Sequence, residues 1–372
     1  MQRLTLLLLI VCNILLMHAQ TFVFIGTYNI DKTKEGIYVY ELDTITGKLT
    51  KITSINNVLN PSFLTLSQNG KLLFACTDTR TPKDGSVSSF VFDKNNKSLT
   101  FINKQKTGGE NPVYISLNST EKILLSANYT DGSVSVFPID NNGKISVPTQ
   151  FIQYQDSSIY TARQSSSHIH SAVFSPDYHF IFLPDLGADK IRCYAFHSLQ
   201  QEPLQVNSYA FTKTVAGSGP RHFTFHPNKK FAYCIEELSG TITAYRYKDG
   251  KLDSIQRISS HKEKHKDVLS SADIHISPDG RFLYASNRSE ENNIAIFSIK
   301  ENGTLKYITH QSTFGTIPRN FTIDDSGKFL IVANQKSGSI VVFKRNAKTG
   351  LLKKIKNDIS VDSPSCVIIR KY

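Results

Sequence analysis

The residues best suited to chemistry sit at the two ends of one stretch, Gly219 to Leu238, GPRHFTFHPNKKFAYCIEEL. Arg221 and His222 open it, and Glu236 and Glu237 close it. Imidazole and carboxylate groups move protons near neutral pH when their surroundings shift their proton affinity. A guanidinium cannot serve as the base, but its planar fork binds carboxylate and phosphate. Between the two ends, Phe223 and Phe225, then Phe231, Tyr233 and Ile235, recur at a spacing of two on either side of His-Pro-Asn-Lys. That pattern predicts two half-buried strands joined by a tight turn. A hairpin returns to its starting edge, so the Arg-His end and the Glu-Glu end are brought together.

The elements that must position these residues form a repeat. Copies of the unit start at Asn60-Pro61, Asn111-Pro112, His168-Ile169, Gly219-Pro220, Ser271-Ala272, Ile317-Pro318 and Ser363-Pro364, spaced 46 to 57 residues apart. After each inner hairpin, or before it at the start of the chain, comes a second hairpin with a polar tip, as in GIYVYELDTITGKLTKI and SIVVFKRNAKTGLLKKI. The Asp-Gly, Asn-Gly and Thr-Gly pairs at these tips suit tight β-turns. Seven such units predict an all-β fold, a seven-bladed β-propeller of four-stranded blades. The first outer hairpin precedes the first inner one, and the last inner unit ends the chain. Pro364 to Arg370 is therefore predicted to supply the inner strand of a blade whose other strands come from Thr21 to Ile52. Pairing the N- and C-terminal strands closes the ring and removes two free edges. Residues 21–372 are read as one such domain.

Aligned on their turns, the copies give rows of equivalent positions. One row reads Ser62, Val113, His170, Arg221, Ala272, Arg319 and Ser365; the next reads Phe63, Tyr114, Ser171, His222, Asp273, Asn320 and Cys366. At the end of the second strand come Thr77, Asn128, Asp185, Glu236, Asn287 and Asn334, followed by Asp78, Tyr129, Leu186, Glu237, Arg288 and Gln335. All these rows are expected near one mouth of the ring. His170, Arg221 with Glu237, Arg288 and Arg319 then fall on one arc. Charges gathered at a pore mouth are costly unless paired or used. Two other readings stand beside this one: Asn and Asp at strand ends satisfy turn backbones, and Arg221, Glu237 and Arg288 could form a structural ion-pair network. His168, His179, His226 and His275 read as structural. Two longer insertions, 156–167 and 259–270, are expected on the same side, where loops of that length often carry function.

The remaining sequence bounds the reading. The formal charge of +12 over 372 residues comes from Lys and Arg scattered through turns. This fits a solvated surface that attracts anionic small molecules, with no nucleic-acid partner. Residues 1–20, MQRLTLLLLIVCNILLMHAQ, read as a signal peptide: Arg3, an apolar run too short for a comfortable span, then Ala19. Export to a periplasmic or secreted location follows, with no membrane attachment after cleavage. Cys76, Cys193, Cys234 and Cys366 lie in strand patterns without a CxxC pair and read as buried free thiols, although two disulfides are also countable. No Cys/His spacing suggests a metal, no cofactor motif is present, and no G-x-S-x-G nucleophile appears.

The segments FIGTYN, SANYTDGSVSVF, HIHSAVFSPD, GPRHFTFHPN with IEELSGTITAY, ISPDGRFLYASNR and IPRNFTID with LIVANQ together resemble the lactonase family of seven-bladed propellers. This family includes propeller-type 6-phosphogluconolactonases and fungal 3-carboxy-cis,cis-muconate lactonizing enzymes. The resemblance covers nearly all of residues 21–370. It implies catalytic roles for His170 (before SAVFSPD), Arg221 (in GPRH), Glu237 (in EEL) and Arg288 (in SNR). His222, Asn128, Asp185, Arg319 and Gln335 are the expected substrate contacts. The implied activity is hydrolysis of a sugar-acid lactone, a carboxylic ester hydrolase reaction with Glu237 or His170 as base and an anionic lactone or carboxylate as substrate. A carboxymuconate-type cycloisomerase and a non-catalytic ligand-binding propeller are the alternatives. A monomer or weak homodimer is expected. An intracellular sugar phosphate and an export signal do not match, so the family's chemistry carries over more readily than its usual substrate.

Overall fold

Pro220–Phe225 and Phe231–Glu236 are the two strands expected from the opening stretch, and Thr241–Lys248 and Lys251–Ser259 continue the same antiparallel sheet outward. The computed structural model describes residues 20–79, 82–262 and 269–372. Seven such sheets form the ring, each built on four strands in order from the pore outward. The second strand of a blade, such as Phe231–Glu236, Phe282–Asn287 or Phe329–Asn334, is buried at every residue. It is sandwiched between neighbouring blades, which is why these strands read as near-continuous apolar runs. The outermost strands are mostly exposed or half-buried, as in Lys251–Ser259, where only Leu252 is buried.

The first blade is composite. Its strand order is Pro364–Lys371, Thr21–Thr27, Ile37–Leu42, Leu49–Ile55. Thr21 faces Lys371 and Phe24 faces Ile368, so the terminal strands pair as the sequence predicted. Phe22, Phe24, Ile37, Val39 and Cys366 of this blade pack against Leu64, Leu73, Phe90 and Phe92 of the next in one apolar cluster. Every blade-to-blade contact of this kind removes large side chains from water, each contributing about 1.5–3 kcal/mol. The expected leader, residues 1–20, lies outside the described residues except for Gln20, as does the middle half of the 259–270 insertion, residues 263–268. Among the described residues no helix is long and apolar enough to cross a membrane.

The innermost strands carry a recurring irregularity. The register slips between Pro112 and Tyr114, between Pro220 and His222, between Ser271 and Ile274 and between Pro318 and Asn320. Each slip is a bulge that leaves Val113, Arg221, Arg319 or the pair Ala272 and Asp273 out of the ladder, and Val113, Arg221 and Arg319 line the pore mouth. Bulges of this kind re-aim side chains at a barrel or propeller rim.

Cys76, Cys193, Cys234 and Cys366 are all buried and free. Burial pushes the Cys193 and Cys366 thiols up to about 11 and about 12, away from the reactive thiolate. A thiol reductant is therefore expected to leave the melting temperature unchanged, and iodoacetamide is expected to label none of the four in the folded protein. Thermal melts with and without reductant check the first statement, and mass spectrometry after native alkylation checks the second.

Candidate active site

Six of the seven positions in the first predicted row, Ser62, Val113, His170, Arg221, Arg319 and Ser365, line one small cavity at the mouth of the pore. Tyr28 joins them at the rim, and Phe63, His222 and Asn320 form the floor. The cavity holds about 10 Å³, room for roughly one water.

Glu237 is the hub of the charges. Its Oε2 lies 2.9 Å from Arg221 Nε and 2.9 Å from Arg288 Nη2, and its Oε1 accepts from Arg163 Nη2 at 2.7 Å. The side chain is 5% exposed. Burial alone would raise its proton affinity, but Arg288, Arg221 and Arg163 more than offset this and hold the carboxyl down at about 2. The backbone sets its position: Glu237 N–H donates to Gly219 O at 2.7 Å. Gly219 has φ +64, and a Cβ there would meet Leu238 at 2.6 Å, so the turn that seats Glu237 requires glycine.

Arg221 is fully buried; its Nη1 donates to Ala272 O, and its Nε–H is not aimed at the nearby Glu237 oxygen. Arg288 Nη2 also donates to Ser271 O at 3.1 Å, and its Nε has no acceptor among the described residues. Arg319 is half-buried, donates to Tyr28 OH at 2.9 Å and lies over that ring; among the described residues no carboxylate pairs with it.

Two imidazoles complete the site. His170 is buried, and its Nδ1 has no hydrogen-bond partner among the described residues. Desolvation, then Arg221, His222 and Arg319, hold its proton affinity well below the usual imidazole range, so it is neutral at pH 7. His222 packs edge-on against it at 5.3 Å between ring centroids. The Nδ1 of His222 meets Asp273 Oδ1 at 2.7 Å, and desolvation and Arg221 outweigh this contact to bring it down to about 4. Asp273 is itself held by His275 Nε2 and Asn320 Nδ2.

His170, Arg221, Glu237 and Arg288 are thus brought together, with His222 and Arg319 beside them. Gln335 is half-buried at the same end of its strand, where its N–H donates to Ile317 O. Asn128 and Asp185 are elsewhere, and their expected contact with substrate is corrected. Asn128 is buried inside its blade, donating to Ser133 Oγ and Ser135 Oγ and accepting from Ser126. Asp185 accepts from Arg192, from His168 N–H and from Ala188 N–H, and has no exposed surface. Glu236 likewise turns inward to Thr243 and Arg257.

Arg163, Tyr129 and Tyr28 were not singled out as site residues in the sequence. Arg163 rides on the one-turn helix Thr161–Gln164 of the 156–167 insertion, and Tyr129 OH accepts from it at 3.3 Å. The signal for Arg163 was that insertion, expected over the mouth. His168 stacks on Tyr129 and bonds its carbonyl through Nδ1, the structural role expected of it.

A larger cavity, of about 460 Å³, opens at the opposite end of the pore among Phe63, Tyr114, Phe174, Phe223 and Phe225. His222, Asn320 and Phe63 separate the two spaces. Arg221 and Arg319 face only the smaller one, so volume and chemistry lie at different ends, and the chemistry decides which is the candidate site.

The fold and this mouth define a seven-bladed propeller with a cationic, imidazole-floored pocket. The chain belongs to the family described as "Lactonase, 7-bladed beta-propeller", which matches residues 22–369. It is similar to a 6-phosphogluconolactonase of Formosa agariphila, 41% identical over 94% of this chain and 99% of the relative. A 6-phosphogluconolactonase of Bacillus subtilis is 32% identical over 92% of this chain and 97% of its own. Among solved structures, the periplasmic gluconolactonase of Pseudomonas aeruginosa superposes with a TM-score of 0.90 at 33% identity, over 94% of this chain and 99% of that one.

Proposed function

We propose that this protein is a lactone hydrolase that opens a sugar-acid lactone at the Arg221 end of the pore. One observation carries the reading: a buried, neutral His170 with an unpartnered Nδ1 faces a cavity flanked by Arg221 and Arg319. In hydrolysis a base takes a proton from water, the oxygen adds to the carbonyl carbon, the ring C–O bond breaks and the ring oxygen regains a proton. Of the two candidate bases, His170 is favoured. Glu237 has both oxygens committed to guanidiniums and is a very weak base there. Its role is to fix Arg221 and Arg288, which with Arg319 stabilise the oxyanion and hold anionic groups. The relatives named for gluconolactone and its 6-phosphate support this substrate class. The leader-like residues 1–20 and the periplasmic neighbour support export.

The test is acid release by purified residues 21–372 on glucono-δ-lactone and its 6-phosphate, corrected for spontaneous opening, with carboxymuconate followed in the ultraviolet. Acceleration on at least one sugar lactone is expected, with a loss of about 100-fold or more in His170→Gln. No acceleration on either lactone, or turnover of carboxymuconate alone, overturns the reading. The pH profile is a second check. Because His170 stays neutral well below 6.5 in the free protein, kcat/KM on the unphosphorylated lactone should remain level as pH falls through 6.5. Its acid limb is expected only well below that value, and a limb at or above 6.5 excludes His170 as base.

A further inference from the structure

The mouth holds four guanidiniums: those of Arg163, Arg221 and Arg288 surround the carboxylate of Glu237, and that of Arg319 lines the cavity. They differ in how firmly they are held. Arg221 and Arg288 side chains are 1% and 12% exposed, whereas that of Arg163 is 40% exposed. The backbone beneath Arg163 is well anchored. Gln164 is fully buried and donates to Leu186 O at 2.8 Å, Ser158 Oγ donates to Asp189 at 2.5 Å, and Asp156 pairs with Lys190 and Arg192. The insertion also rests so closely on Gly187 that a Cβ there would meet Ser166 O at 1.8 Å. The cavity beneath has room for about one water, far less than any sugar lactone. Admission of a ligand therefore needs a movable group near the mouth, and the side chain of Arg163, 40% exposed on an anchored backbone, is the most exposed of the three guanidiniums that hold Glu237.

We infer that Arg163 is the residue by which this site selects anionic ligands: its guanidinium exchanges Glu237 for a phosphate or carboxylate group on the ligand. The inference rests on the lactonase reading for the identity of the ligand but not for the binding event. When Arg163 leaves, Glu237 keeps Arg221 and Arg288, so the carboxylate is not stranded. The arriving anion gains a planar, forked donor near Arg288.

Calorimetric binding of 6-phosphogluconate, gluconate and neutral glucitol to the wild type and to Arg163→Ala and Arg163→Lys tests this without any turnover. The wild type is expected to bind the two anions and not glucitol. Arg163→Ala should weaken anion binding by about 10- to 100-fold, with Arg163→Lys in between, because one charge-assisted contact is lost. A weakening confined to 6-phosphogluconate assigns the phosphate as partner; a weakening of both assigns the carboxylate. Anion affinities unchanged in Arg163→Ala, or glucitol bound as tightly as gluconate, overturn the inference. Because Arg163 is partly exposed, thermal melts of the variants should match the wild type. If the anions bind as expected but no lactone is turned over, the lactonase reading fails alone.

Discussion

Glu237→Ala is expected to abolish measurable lactone turnover and to lower stability by about 3–5 kcal/mol. Removal of the carboxylate strands three guanidiniums, two of them almost fully buried, with their charges uncompensated. The same interaction should appear as acid sensitivity. Glu237 has its proton affinity lowered on folding, from 4.5 to about 2. Its contribution is therefore fully present above about pH 4.5 and is lost as pH falls through 2. The difference corresponds to roughly 3 kcal/mol, in line with the cost expected from truncation. Urea denaturation of wild type and Glu237→Ala at pH 7 and pH 3 measures both effects. The gap between them should be widest at pH 7 and narrower at pH 3. A variant within 1 kcal/mol of wild type at pH 7 would show that the arginines are stabilised by something else. Glu237→Gln, which keeps the shape and removes the charge, separates packing from electrostatics.

Removal of residues 364–372 is expected to prevent cooperative folding altogether. Those residues supply the innermost strand of the first blade, paired with Thr21–Thr27 along its whole length. They also supply Cys366 and Val367 to two separate apolar clusters, and Tyr372, whose ring packs on Phe22 at 5.3 Å. Without them, the edge of Thr21–Thr27 and the flanks of two neighbouring blades face water, an arrangement that aggregates. Circular dichroism melts and gel filtration of the truncated chain are the measurement. A monodisperse protein with a sharp transition within a few degrees of the full chain would mean that the ring closes without that strand.

The number of blades and their closure were legible because both rest on periodicity. Alternation of two defines each strand, and a recurrence near fifty residues defines each blade. The mouth was legible for the same reason: His170, Arg221 and Arg319 occupy one row of the repeat, and that row lines the cavity. The rows at the far end of the second strand were read less well. The row of Asn128, Asp185 and Glu236 and the row of Glu237 and Arg288 were both taken for the mouth. Consecutive residues on a strand point to opposite faces, so only one row can face it. The first turns into the blade, where Ser133, Arg192 and Thr243 bind it; the second faces the mouth. The clue was in the sequence, since the inward row is followed by small hydroxyl residues on the next strand in several blades. Arg163 had no register to reveal it. It lies in an insertion outside the repeat, and its approach to Glu237 depends on tertiary packing of that loop against Gly187 and Leu186. Choosing between Glu237 and His170 also needed the count of guanidiniums around each, which spacing alone does not provide.

The pairing of Thr21–Thr27 with Pro364–Lys371 has a consequence for how the molecule is made. A ribosome delivers the first of these partners long before the second. The other six blades are each built from strands that are neighbours in sequence, but the opening one waits, unlatched, until the segment from Pro364 has been made.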